Sequence, residues 1–196
     1  MTAKWDYWNG PDDVDRREKY ARVFKPEYQV NGDGVQQKIA AVVTAFRSET
    51  QVELPEGYSS GWRPPVVNDR TANSAKGTSK HLTAQAGDKR DTDNGDFAWW
   101  CFRNPHILEI HGLWIEHPVS TVVRSWKLAT KTDDDPDPWC HLQSEPPGSG
   151  LRIYFPDHTA PKEWEEFLAS GGQPGMAYEA WKALGKRKRK EATEDE

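Results

Sequence analysis

At 196 residues the chain has room for one core with short appendages, and its formal charge of −5 offers no general attraction for polyanions. No general nucleic-acid binding is expected on that ground, since a surface that tracks phosphates needs clustered lysine and arginine. No apolar run approaches the roughly eighteen residues of a membrane span, and the opening Met1-Thr2-Ala3-Lys4-Trp5-Asp6 lacks the hydrophobic core of a signal peptide.

The mean hydropathy of −0.92 means that much of the chain is surface, so the core must draw on the ten tryptophans, whose rings bury large areas. Residues 1–34 show no sustained period and read as an irregular arm, with a short charged helix possible between Asp12 and Tyr20. Gly32-Asp33-Gly34 reads as its closing punctuation. From Val35 to Ser48 the apolar residues Val35, Ile39, Val42, Val43 and Phe46 recur at helical spacing. Pro64-Pro65 argues against a helix at that point, and 68–80 reads as a polar loop. Phe97 to His111 forms a second helical segment that Pro105 interrupts. Leu113–His117, Trp139–Gln143 and Leu151–Phe155 follow as short strands, the first two separated by the acidic run Asp133-Asp134-Asp135-Pro136-Asp137. Two helices, 161–170 and 174–184, close the chain through Trp164, Phe167 and Trp181. The basic run 186–190 and the acids after it form a charged tail. The expected division is therefore an arm at 1–34, a central domain at 35–158, a helical cap at 159–185 and a tail at 186–196, giving an α+β fold with a small, mostly antiparallel sheet. Cys101 and Cys140, both beside tryptophan, read as buried free thiols and not as a disulfide framework.

The chemistry concentrates in Ser79-Lys80-His81-Leu82-Thr83-Ala84-Gln85-Ala86-Gly87-Asp88 and in Trp139-Cys140-His141. Two histidines and one aspartate supply two nitrogens and one oxygen to a metal. One tetrahedral position then stays open for water, which is the mark of a catalytic and not a structural zinc. Side chains alternate along a strand, so Trp139, His141 and Gln143 share one face while Cys140 and Leu142 share the other.

These segments, preceded by Ser59-Ser60-Gly61-Trp62-Arg63, resemble the zinc D-alanyl-D-alanine carboxypeptidases and L-alanyl-D-glutamate peptidases. In that family a Ser-Gly-Tyr-Arg turn precedes Ser-x-His-x-x-Gly-x-Ala-x-Asp and a later Trp-x-His. Gly112-Leu113-Trp114-Ile115-Glu116-His117-Pro118, the continuation to Leu142-Gln143, and Pro146-Pro147-Gly148-Ser149-Gly150 resemble its phage-encoded members, so the likeness spans about 57–156. The resemblance implies a zinc-dependent hydrolase of peptidoglycan stem peptides with His81, Asp88 and His141 as ligands. It also implies a phage endolysin or virion-associated enzyme, made in a host cytoplasm and acting on the wall after release. The competing expectation is a virion structural or wall-binding protein that keeps the fold without turnover.

Within that resemblance Arg63 supplies a cation to the developing oxyanion, and Ser79 either binds substrate or caps its loop. The base is contested. Where family members place an acid three residues before the last ligand, this chain has Pro138, leaving Glu116 as first choice and Asp137 as second. Ala84 also departs from the family glycine, which matters if the backbone there needs a positive φ. Asp91 reads as ordering a turn. His106, His111 and His158 lack ligand spacing, whereas His117, beside Glu116, is retained as a possible proton donor.

Overall fold

The computed structural model describes residues 6–9, 14–71, 74–156 and 161–184. The charged tail, most of the first residues and His158 lie outside them. The elements, in order, are α1 (Arg16–Lys19), α2 (Pro26–Thr50), β1 (Tyr58–Ser60), α3 (Pro65–Arg70), β2 (Ala86–Arg90), α4 (Asp96–Arg103), α5 (Pro105–Ile110), β3 (Trp114–Glu116), a π-helical turn (Val119–Val123) running into α6 (Arg124–Thr132), β4 (Trp139–Gln143), β5 (Ile153–Tyr154), α7 (Pro161–Ala169) and a last helix α8 at 178–184. Five strands form one open sheet in the order β1-β2-β4-β3-β5, antiparallel except for the β3–β5 pair. The fold is α+β, as the pattern of short strands and amphipathic helices predicts.

α2 lays Val35, Ile39, Val42, Val43 and Phe46 against the sheet, all buried. Each such side chain contributes roughly 1.5–3 kcal/mol by leaving water. The helix starts nine residues before the expected Val35, so the arm does not extend to residue 34. Gly32 and Gly34 do not break it. Gly32 is buried where the Trp8 ring crosses α2, and a Cβ at that position would collide with the indole. The glycine there permits close packing and is not a stop. Two residues ahead of α1 are part of the core: Tyr7 and Trp8 are buried, and Tyr7 Oη lies 2.9 Å from the carbonyl oxygens of both Ala84 and Ala86.

Two further expectations are corrected. α3 begins at Pro65 despite the Pro64-Pro65 pair, because proline at the first helical position lacks only an N–H that would have no intrahelical partner anyway. The segment 119–132, expected to be part of the loop between the strands at 113–117 and 139–143, is helical, its first turn π-type with Val119 to Val123 all buried. The break at Pro105 is as expected, with α4 ending at Arg103 and α5 starting at the proline.

Helices cover one face of the sheet. Gly87 looks toward Ile39 of α2, and the buried Cys140 lies next to Cys101 of α4, both thiols free. Trp99 of α4 stacks on Phe167 of α7 with ring centroids 5.9 Å apart, and Trp126 of α6 meets Trp181 of α8 at 5.6 Å. The opposite face, which carries Ser60, Asp88 and His141, is left for the site. Among the described residues no helix is long and apolar enough to cross a membrane.

Candidate metal centre

Register alone brings the first two candidate ligands together. Asp88 of β2 sits opposite His141 of β4 in the ladder, and Ser60 of β1 sits opposite Asp88 on the other side. Asp88 therefore lies within a strand and not on the connection that carries His81. Ala86-Gly87-Asp88-Lys89-Arg90 contains no β-branched or aromatic residue, which is why the strand does not announce itself.

His81 enters from the turn before β2. Its Nδ1 donates to the Gly61 carbonyl at 2.7 Å, leaving Nε2 as the free lone pair. Gly61 can approach this closely because it has no Cβ to strike the Tyr7 carbonyl. The turn is tied down by Arg63 N donating to His81 O at 3.1 Å and Gln85 N to Lys80 O at 2.9 Å. Beside it, Glu145 accepts from Lys80 and from Gln85, each at 2.5 Å. Ser79 Oγ accepts weakly from His81 N at 3.4 Å, so it caps this turn while also lining the cavity. Ala84 closes the turn at φ 57°, the left-handed conformation that a glycine would take without cost.

His81, Asp88 and His141 are all buried, and one ligand atom from each can be chosen so that all lie within 4.8 Å of one another. His81 Nε2 is 3.3 Å from both His141 Nδ1 and Asp88 Oδ1. A tetrahedral ion with bonds of about 2.0 Å separates its ligands by about 3.3 Å, so these two edges fit it. The third edge, His141 Nδ1 to Asp88 Oδ1, is 2.6 Å and is a hydrogen bond.

The electrostatics agree with a ligand set. Burial, aided by the Arg63 charge, pushes His81 down to about 4, so its imidazole is neutral near pH 7. Burial alone would raise Asp88, but the charge that His81 takes up only at low pH, the charge of Arg63 and the hydrogen bond from His141 hold its carboxyl well below the usual range. Burial also works against a charge on His141, yet the hydrogen bond and charge of Asp88, with Glu116 behind them, raise its pKa.

Arg63 is more tightly engaged than its expected role implies. Its Nη2 donates to Asp88 Oδ2 at 2.5 Å and lies 3.2 Å from His81 Nε2, while Nε donates to Ser60 Oγ at 2.6 Å. The guanidinium thus borders the centre as a fixed positive charge.

Glu116, at the end of β3, lines the same cavity of about 920 Å³ as the three ligands, and burial raises its pKa. Asp137 does not face the ligands in this way. Its side chain is 65% exposed and reaches Arg90 at 3.5 Å. His117 is also removed from the site: it stacks on Phe155 at 4.5 Å, accepts from Val119 N at Nδ1, and is pushed down to about 4 by burial. The retained donor role is therefore not supported by its position. Asp91 orders the start of α4 by accepting from Thr92 N, Phe97 N and Ala98 N.

Several cavity residues carry no motif. Gln143, buried two residues beyond His141 on the same face, accepts from Tyr154 Oη at 2.8 Å and donates to Glu145 O at 2.7 Å. Strand alternation pointed to its face but not to its partners. Ser120 and Arg124 enter the cavity from the unanticipated helical segment.

No protein-family model, curated protein or solved structure matches the chain. What the fold and site define is a class: an α+β protein whose open sheet carries a buried His-Asp-His group able to hold a metal ion.

Proposed function

We propose that the protein is a zinc-dependent, phage-type peptidase that hydrolyses an amide of the peptidoglycan stem peptide. The observation that carries this reading is the convergence of His81, Asp88 and His141 from three chain segments onto one point beside an acid and a fixed cation. Zinc suits two nitrogens and one oxygen with a position left open, and when bound it supplies the Lewis acidity that ionises water near neutral pH and polarises a carbonyl.

The chain's own residues do the rest. Gly61 O fixes the His81 tautomer so that Nε2 would be the atom available to hold a metal. Glu116, its pKa raised in the cavity, takes a proton from the attacking water and passes it to the leaving amine. Arg63, held by Ser60 Oγ and Asp88, presents positive charge toward the carbonyl oxygen as it becomes anionic. Asp137 is the weaker candidate for the base because it pairs outward with Arg90.

A wall-binding virion protein without turnover is the second reading, favoured by Pro138 at the position where the family places its acid. One experiment separates the two. Zinc-supplemented protein is incubated with purified peptidoglycan and with stem peptides, and the products are weighed by mass spectrometry. A gain of one water with scission of a defined amide supports the peptidase; intact substrate throughout, with wall binding retained, supports the second reading.

A further inference from the structure

Of the nine tryptophans among the described residues, seven meet another aromatic ring and Trp114 lies under the Arg152 guanidinium at 4.2 Å. Trp139 is the exception: half-buried, it has neither a ring nor a cation against it. Its backbone is held on both sides, since Trp139 pairs with Arg90 of β2 in the ladder and Pro138 O accepts from Asp91 N at 3.1 Å. Its side chain shares a sheet face with His141, two residues on. It lines the metal-centre cavity and also a second cavity of about 1100 Å³, walled by α6, and the two cavities share Arg63, Asp88 and Trp139. An uncovered indole on a rigid strand, at the junction of two cavities, is a platform for a ligand.

The second cavity selects the ligand. Six cationic and six acidic side chains line it, so its formal charges cancel and it holds no attraction for phosphates or other polyanions. Apolar surface comes from Trp139, Val67 and Leu128, the last 62% exposed on α6. A sugar ring matches both properties. Its C–H face packs on an indole, and its hydroxyls both donate and accept, so they can bond carboxylates, which only accept, and ammonium groups, which only donate. An aromatic or aliphatic peptide side chain would cover the ring but leave the polar wall unused. We propose that Trp139 is the platform of a saccharide-binding site in the cavity beside the metal centre, which holds a short run of neutral sugar rings. The identity of that sugar as the glycan next to the stem peptide rests on the peptidase reading, while the saccharide site does not.

The full chain, in EDTA, is titrated with the tetramer of N-acetylglucosamine and with a glucose tetramer, and the indole N–H signals are followed by heteronuclear NMR. Trp139→Phe identifies the Trp139 signal by its loss. That signal is expected to move on saturable binding with a Kd of about 1 mM or tighter. Preference for the first tetramer assigns the occupant to an N-acetylated glycan; preference for the second sinks that assignment and keeps the saccharide site. Trp139→Ala should weaken binding by about tenfold or more and Trp139→Phe, which keeps a ring, by about threefold. Leu128→Ala should weaken it by about twofold without lowering the melting temperature, since the side chain is exposed. Ser149→Ala, in the metal-centre cavity alone, should leave it unchanged. The proposal is overturned by failure of both tetramers to bind at about 10 mM, by a Trp139 signal that stays still while a tetramer binds, or by an affinity that survives Trp139→Ala. Tighter binding of N-acetyl-phenylalaninamide than of either tetramer at Trp139 also overturns it. The signal of the unaltered protein decides the matter even where Trp139→Ala does not fold. Saccharide binding at Trp139 without cleavage of peptidoglycan by the zinc-supplemented protein leaves the site standing and sinks the peptidase reading. Cleavage with neither tetramer bound does the opposite.

Discussion

Glu116 and Asp137 are both acids near one cavity, and their surroundings assign them different work. Glu116 lies among the ligands with its pKa raised by burial, whereas Asp137 faces solvent beside Arg90. On the proposed peptidase reading, Glu116→Gln should keep the fold and the capacity to bind zinc while lowering stem-peptide hydrolysis by about a hundredfold or more, and Asp137→Asn should cost far less. Steady-state rates together with elemental analysis of both variants check this ranking. His141 governs a second expectation at this scale. Its raised pKa means that the ion-free imidazole holds the proton it shares with Asp88, and a metal must displace that proton. Affinity should rise with pH through the raised value and level off above it, with proton release on binding. Calorimetry in buffers of different ionisation enthalpy measures both. Ala84 shows how far one residue was legible. The sequence marked it as a departure that matters only if φ is positive, and the structure puts φ at 57°. Ala84→Gly removes about 1–2 kcal/mol of strain but loses a buried methyl and frees the unfolded chain, so its net effect on stability should stay within about 1 kcal/mol.

At the scale of elements, two glycines in α2 make opposite predictions from one helix. Gly34 has nothing within 4 Å of where a Cβ would stand, so Gly34→Ala should stabilise by about 0.5–1 kcal/mol through helix propensity. Gly32→Ala gains the same propensity but drives a methyl into Trp8, and should destabilise by about 1–3 kcal/mol. Urea denaturation of the two variants gives the comparison directly. The same pair explains a misreading, because composition marks both glycines as punctuation and only the crossing of Trp8, a distant contact, reveals that one of them is a packing device. Strands were read more faithfully where aromatic and aliphatic residues mark them. Trp139–Gln143 has the expected bounds, while Ala86–Arg90 lacks those residues and is held as a strand by its pairing with β1 and β4. The segment 119–132 was missed for a related reason: its early valines and threonine favour strands, and tertiary packing overrides that preference. Ser120 and Arg124 were hidden with it.

For the whole molecule, the His81-Asp88-His141 group was legible because its residue types and spacing are what a metal site requires, whereas the cavity around it is made by contacts far apart in the chain. A metal ion held by this group would couple to the fold through that cavity. An ion that binds only the folded protein stabilises it by about 2.7 kcal/mol at a hundred times its Kd, so the melting temperature should climb with zinc and drop with chelator; loss of both His81 and His141 should remove that dependence. Acid should unfold the protein in a defined window. His117, held near 4 when folded and about 6.5 when unfolded, takes up its proton more readily in the unfolded chain. Its contribution is complete above about 6.5 and is lost as the pH falls toward 4, by about 3 kcal/mol, and His117→Phe should flatten denaturation midpoints over that range. The strand order has one more consequence. β4 lies between β2 and β3, and the β2–β4 ladder carries Asp88 and His141 face to face. Amides of such an inner ladder exchange with solvent only in the rarest openings of a protein. Two residues of the candidate centre thus sit on the inner ladder, whereas the hydrogen bonds that hold the His81 turn lie outside it and should open more readily. Deuterium uptake should show an ion entering or leaving the centre as a change at 79–85, with the amides of 86–90 and 139–143 silent on the same timescale.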